Sequence, residues 1–219
     1  MDKEERVQIF IDGGNFHHLA LKKLDIKGLD FLFEEFSSFL ISDRKINELG
    51  KRFYVGTVRE REGDEHSKKA MSKQTKLFSI LKKDNWQLKT SKLANRLEKI
   101  VIDKRTVNCK ELHKKGIKTV EFYRMREKGI DVKIATDLII GALDDRYDTA
   151  ILISSDSDLI PAIDIVRNRF KKKIEYIGFS IIDEDVDTNS TKPSFAMIRK
   201  TDTQRILIKS DLLPFIRAT

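Results

Sequence analysis

Two distant segments constrain this chain most. Val7–Ile11 (VQIFI) and Ala150–Ile153 (AILI) are short, apolar-rich runs, and each ends in a small acidic turn, Asp12-Gly13-Gly14-Asn15 after the first and Ser154-Ser155-Asp156-Ser157-Asp158 after the second. Such a run, too short for a buried helix and without period-two alternation, is the signature of a strand covered on both faces. Strands of that kind belong to parallel sheets, whose crossovers place helices above and below. The aspartates then stand at the carboxyl ends of two strands.

The rest of the chain alternates in the same way. Leu29 to Ile41 has helical spacing with Leu32, Phe33, Phe36, Phe39 and Leu40 on one face, and Arg52 to Val58 reads as a strand. Ser67 to Lys83 is an amphipathic helix that leads into a strand around Trp86 to Thr90. Asp131 to Leu143 is a helix with Ile134, Leu138, Ile139 and Leu143 inward. A helix over Leu159 to Arg169 carries Pro161 in its first turn, where proline is tolerated, and Lys173 to Phe179 is a further strand. Residues 183–193 form a polar loop, and Arg205 to Ile208 and Asp211 to Ile216 close the chain as a strand and a helix. The expectation is a single α/β domain over 1–219, a Rossmann-like three-layer parallel sheet, with a C-terminal strand-helix extension at about 195–219.

Residues 91–127 break the pattern. Leu97–Ile102 and Thr119–Met125 read as short strands of a hairpin-like excursion, an insertion on the domain edge. This stretch also holds the charge. The chain carries 43 basic and 35 acidic residues, a net +8, yet residues 82–128 alone carry 15 basic against 6 acidic, so the flanking segments are close to neutral. A basic surface beside a near-neutral body points to a polyanion, nucleic acid before membrane, because no strongly apolar face accompanies the lysines. A solvated lysine-rich face is the plainer alternative.

The single cysteine, Cys109, excludes an intrachain disulfide and a thiolate metal site. The amino terminus lacks the basic and apolar regions of a secretory signal, and no apolar stretch is long enough to span a bilayer. A cytoplasmic protein that does not enter membranes is expected, with a homo-oligomer left open.

In a parallel sheet, ligands bind off the carboxyl ends of the strands where strand order reverses. Asp12, Asp156 and Asp158 would meet there. Asp12 and Asp156 could instead serve only as caps for the helices that follow. Gathered carboxylates repel one another, and hard oxygen ligands are what Mg²⁺ or Mn²⁺ takes. Asp137, in an apolar helical run, needs a cation or a solvent-facing position.

These residues resemble the NYN domains, LabA-like members of the PIN-like nuclease superfamily. The likeness rests on I-F-I-D-G-G-N-F at 9–16, K-G-I-D-V-K-I-A-T-D at 128–137 and I-S-S-D-S-D-L-I-P at 153–161, three motifs that bracket roughly residues 6–180. Two positions depart from the family pattern: Ser155, where glycine is usual, and Leu159, where an aromatic residue is common. Neither removes a carboxylate. The resemblance implies an acidic pocket of Asp12, Asp137, Asp156 and Asp158 holding Mg²⁺ or Mn²⁺, with Asn15 at the start of the first helix and Asp131 as a cap or substrate contact. It implies an enzyme, a metal-dependent ribonuclease hydrolysing phosphodiester bonds.

On that basis Asp12, Asn15, Asp137, Asp156 and Asp158 are the expected catalytic residues. A metal-bound water would attack the phosphorus in line, and Asn15 would hydrogen-bond that water or the scissile phosphate. Arg124, Arg126 and Lys128, running into the helix motif, would guide the strand. Tyr123, Phe122 and Trp86 are candidate stacking residues for single-stranded RNA, favoured over DNA, although core packing suits Phe122 and Trp86 better. His17, His18, His66 and His113 are read as surface or partly packed side chains. A non-catalytic RNA-binding or regulatory module with a retained metal pocket is the alternative. A haloacid-dehalogenase-type phosphotransferase would use Asp156 and Asp158 but leaves Asp12 to Asn15 unexplained.

Overall fold

In the computed structural model, residues 4–60, 63–127, 129–182 and 190–217 are described, with the side chains of 93–95 and 125–127 outside that description. Seven strands form one sheet in the order β4-β3-β2-β1-β5-β6-β7. Their spans are β1 Arg6–Asp12, β2 Lys45–Thr57, β3 Gln87–Val101, β4 Thr119–Glu127, β5 Thr149–Ile153, β6 Lys173–Phe179 and β7 Thr203–Leu207. Every pairing is parallel except β3 with β4. The order turns back at β1 and β5, which pair from Val7 with Thr149 to Ile11 with Ile153, so the two acidic turns emerge side by side at the reversal point.

Helices cover both faces, and alternation along β1 assigns each face its core. Val7, Ile9 and Ile11 belong to one cluster with Phe33, Phe36 and Leu40 of α2 (Phe33–Ile41) and Leu81 of α3 (Glu65–Lys83). Phe10 belongs to the other, with Ile134 and Leu138 of α5 (Ile130–Leu143) and Ile163 and Val166 of α6 (Ile160–Asn168). Between β1 and α2 the chain makes a short helix, α1 (Gly13–Phe16), a π-turn over His17–Leu21 and a 3-10 turn over Lys22–Leu24.

Several sequence expectations shift. The helix over 29–41 begins only at Phe33, because the chain's far end captures the residues before it: Leu32 N–H donates to Phe215 O at 2.8 Å, Arg217 N–H to Asp30 O at 2.8 Å, and Phe31 bridges Ile216. Phe39 stays 43% exposed, and Leu143, at the last turn of α5, 63% exposed. The closing helix splits into α8 (Lys209–Leu212) and a 3-10 turn (Leu213–Phe215), since Pro214 has no N–H to continue the ladder. Short helices α4 (Cys109–Lys114) and α7 (Phe195–Lys200) lie below the reach of periodicity. Of the loop expected at 183–193, residues 183–189 lie outside the described residues, and Thr191 bridges Ile181.

The expected edge excursion is a continuation of β3. Gln87–Lys92 pair with β2, and the strand then runs on beyond β2 to pair Leu93–Val101 with β4 as an antiparallel ribbon. Little covers it: Leu97, Val101 and Tyr123 are 58%, 58% and 71% exposed. Trp86, just before β3, is buried against the rings of Phe33 and Phe53, so it is a core residue and not a stacking platform.

Candidate active site

The site is built on the turn after β1. Asp12 is 6% exposed and caps α1, its Oδ1 accepting from Asn15 N–H at 3.0 Å. The short turn needs glycine next, because a Cβ on Gly13 would sit 2.6 Å from the Phe53 ring and 2.9 Å from Tyr54 O. The turn after β5 locks onto the first. Ser154 Oγ donates to Asp12 Oδ2 at 3.3 Å, and Ser155 N–H donates to Asn15 Oδ1 at 3.0 Å. Asp156 in turn caps the 3-10 turn Ser157–Leu159, accepting from Asp158 N–H at 2.9 Å. Capping therefore occupies one oxygen of each aspartate, Oδ1 in both cases.

A third acid comes from α5. Gly129, at φ +74°, turns the chain into that helix, whose first turn holds Asp131. Burial raises the Asp131 carboxyl above its usual range, and the Asp156 and Asp158 carboxylates raise it further. Burial likewise pushes Asp12 up to about 6, with Asp131 and Asp156 adding to the rise against the opposing Asn15 and Ser154 hydrogen bonds. Like charges at one place disfavour ionisation of each, which is the electrostatic mark of a gathered acidic site. Among the described residues, no lysine or arginine pairs with Asp12, Asp131, Asp156 or Asp158.

Asp137 has different neighbours. Tyr54 Oη donates to its Oδ2 at 2.8 Å, Arg52 Nη1 lies 3.4 Å away and Lys89 Nζ 3.6 Å away. Arg52 is 4% exposed and lies over the Phe10 ring at 5.4 Å. Asp137 thus has charge partners of its own, which Asp12, Asp131, Asp156 and Asp158 lack among the described residues. The geometry of an α/β crossover explains why. The helix before β5 runs against the strands, so its first turn lies at the carboxyl edge, and a residue six positions later lies about 9 Å deeper at roughly 1.5 Å per residue. Helix rise alone, readable from the sequence, favours Asp131.

Other expected residues divide. Asn15 meets the β5 turn through its Oδ1 and keeps its amide N–H groups as donors. Arg124 projects from the ribbon, 60% exposed and 3.6 Å from Glu98. The Arg126 side chain and Lys128 lie outside the described residues. His66 and His113 are exposed. His17 and His18 stand on the π-turn with ring centroids 5.5 Å apart; lost solvation, then the His18 and Lys22 charges, lower the His17 pKa. Sequence reasoning missed Tyr176, whose buried hydroxyl joins Ser155 Oγ at 2.7 Å and accepts from Ser194 N–H at 3.1 Å, tying the segment after β6 to the acidic turn.

The chain's match to known proteins follows the same frame. The model of the NYN domain matches residues 6–197, from β1 through α7. The chain belongs to the NYN family. It is thereby a member of the PIN-like nuclease superfamily, and the NYN domain carries a nuclease-like function with nucleic acid as the substrate class. A solved protein of unknown function from Vibrio parahaemolyticus RIMD 2210633 shares the fold at a TM-score of 0.58 and 16% identity, over 97% of this chain and 98% of that one. No curated protein matches the chain. No helix among the described residues is long and apolar enough to cross a membrane.

The donor chemistry of the NYN site suits a hard divalent cation: four carboxylates, two with raised pKa values, and no basic partner among the described residues. Among the described residues, however, no three His, Cys, Asp or Glu side chains stand close enough together to grip an ion. Mg²⁺ does not need such a cage, since it is commonly held by one or two carboxylates, several waters and substrate phosphate.

Proposed function

We propose that this NYN domain is a metal-dependent endoribonuclease that hydrolyses phosphodiester bonds in single-stranded RNA. One observation carries the reading: aspartates from three separate segments gather at the strand-order reversal without a compensating basic residue among the described residues. Asp12, Asp131 and Asp156 are the residues that would hold Mg²⁺ or Mn²⁺, one or two of them directly and the others through water, with Asp158 as an orienting group or a further water-mediated contact. Asp131 here takes the place that the family motif first suggested for Asp137, because Asp137 is already paired with Arg52, Lys89 and Tyr54. The bound ion supplies charge neutralisation at the phosphoryl oxygens and a lowered pKa for water.

The chain's own residues do the rest. Asp12 is fixed by Asn15 N–H and Ser154 Oγ, so its free lone pairs keep one direction. Asn15, held by Ser155 N–H, presents its amide N–H groups as donors for a phosphate oxygen or a water. The amino terminus of α5 favours negative charge near Asp131 and would favour a phosphate there. The basic ribbon of β3 and β4 gives a salt-sensitive surface for the strand, and exposed Tyr123 offers a stacking face for an unpaired base. Cytoplasmic residence fits the one free thiol, Cys109.

A binding module without cleavage is the second reading, favoured by the absence, among the described residues, of three preassembled ligands. The deciding assay is cleavage of end-labelled single-stranded RNA and DNA with Mg²⁺, Mn²⁺ or EDTA, beside Asp156→Asn. Metal-dependent products lost in the variant support the ribonuclease. Intact substrate in every lane, with binding retained, selects the binding module.

A further inference from the structure

We infer that a second, cationic cleft on the carboxyl edge of the sheet binds a phosphate group of the substrate strand, away from the bond that is cut. The inference rests on the nucleic-acid reading proposed above. The cleft, of about 400 Å³, lies between the turns that follow α1 and the segment after β6. His18, Lys22 and Lys23 form one wall, and Ser190, Thr191 and Lys192 form the other. Its volume accommodates a phosphate with its sugar.

Three observations support a phosphate ligand. First, Lys22 and Lys192 are exposed and take part in no ion pair among the described residues, in contrast to Lys51, Lys172 and Lys200, which have acidic partners. Among the described residues, no acidic side chain lines the cleft. Two ammonium groups facing one cleft repel each other unless an anion lies between them.

Second, Thr191 is 4% exposed and its Oγ1 has no hydrogen-bond partner among the described residues. A buried hydroxyl without a partner is costly, and rotation about its Cα–Cβ bond exchanges hydroxyl and methyl at the wall. Third, the cleft is joined to the acidic site by short covalent and hydrogen-bonded links. Residues 17–24 continue directly from the α1 turn that holds Asn15, and Ser194 is held by Tyr176, which also holds Ser155 beside Asp156. A strand crossing the acidic site would therefore find this cleft on the opposite side from the basic ribbon, since β1 and β5 lie between β2 and β6 in the sheet.

The test measures binding of a short single-stranded RNA in EDTA, so that cleavage is not required, with cleavage in Mg²⁺ and Mn²⁺ followed separately. Lys22→Ala/Lys192→Ala is expected to weaken binding about tenfold and to lower the slope of log K against log salt by about 0.7 for each phosphate no longer neutralised. Lys45→Ala/Lys173→Ala, an equal charge change at the amino edge, is expected to leave binding within about twofold. Thr191→Val should weaken binding while leaving the melting temperature unchanged or raised; a purely structural threonine would lower it. A strand with a 5′-phosphate and one with a 5′-hydroxyl separate the two sources of phosphate: equal weakening of both means an internal phosphodiester, and weakening only with the phosphorylated strand means a terminal phosphate.

Equal binding by the wild-type chain and Lys22→Ala/Lys192→Ala, or no RNA binding by the wild-type chain, overturns the subsite. Absence of cleavage with any metal, while the lysine variant still binds more weakly, overturns the ribonuclease reading and leaves the subsite standing.

Discussion

The two edges of the parallel sheet treat their aspartates in opposite ways. At the amino edge, Asp148 accepts from Arg6 Nε at 3.0 Å and Nη2 at 2.8 Å, and Lys172 pairs with both Asp145 and Asp148. These hydrogen bonds hold the Asp148 carboxyl well below its ordinary range and bring Asp145 down to about 2. At the carboxyl edge, Asp12 and Asp131 are pushed up by burial and by neighbouring carboxylates. The same residue type thus stabilises the fold at one end and destabilises it at the other. The raised carboxyls at the carboxyl edge are the feature on which the proposed metal site rests.

The sharpest way to break that comparison is Asp12→Asn. Asparagine keeps the cap but removes the charge, so phosphodiester cleavage is expected to fall on the order of 10³-fold, several kcal/mol of transition-state stabilisation. Folding stability without metal should rise at pH 7. A carboxyl raised from 3.8 to about 6 destabilises the ionised fold by about 3 kcal/mol once pH exceeds the folded value, and this cost is relieved as pH falls from about 6 towards 4. Urea unfolding of wild type and variant should therefore coincide near about pH 4, draw apart between about pH 4 and 6 and keep a constant gap above about pH 6; a gap that does not change between about pH 4 and 6 would contradict the burial of an ionised Asp12.

Asp137→Ala should act on the opposite quantity. It leaves Arg52, 4% exposed, without its carboxylate partner, so stability is expected to drop by about 3 kcal/mol. Asp131→Asn, by contrast, should keep or raise the melting temperature, since its carboxyl is also pushed up, and lose activity. If Asp137→Asn loses metal-dependent activity with stability intact while Asp131→Asn cuts normally, the proposed exchange of these two acids is wrong.

Arg6→Met tests the amino edge. Removing the guanidinium is expected to cost about 1–2 kcal/mol at pH 7, read from urea midpoints. The sign is reversed here: a depressed carboxyl contributes its stability above its unfolded value near 4 and loses it as pH falls through the folded value, so the difference from wild type should vanish in strong acid. The smallest expected effect is the thermal shift on adding metal. At Mg²⁺ about tenfold above its dissociation constant the wild-type chain gains about 1.4 kcal/mol, a few degrees, whereas Asp12→Asn gains much less. Equal shifts in both would place the bound ion elsewhere.

Much of the fold is legible in the sequence. VQIFI, AILI and KIEYIGF are β1, β5 and β6 within one residue or so at each end, because a strand covered on both faces is rich in apolar residues; the buried polar exceptions are Gln8 and Glu175, the latter paired with Arg44. The acidic turns at 12–15 and 154–158 follow those strands, and the order of elements fixes a parallel sheet. The ribbon is harder to read: Gln87–Val101 is one strand, but only its first part pairs with the parallel sheet and is half covered by it, so its outer half shows neither alternation nor an apolar run.

What the sequence determined alone was the strand pattern, the acidic turns, the charge imbalance of residues 82–128 and the family. What tertiary structure decided was which acids meet. Asp131 and Asp137 sit in the same helix and the same motif; their six-residue spacing sets Asp131 nearer the carboxyl edge, but nothing in it states that Asp137 is held by Tyr54, Arg52 and Lys89. That outcome depends on the depth of each helical turn against the sheet and on partners contributed by β2 and β3. Local patterning follows from backbone period, but the charge environment of a side chain is set by whatever the fold brings to it from elsewhere in the chain.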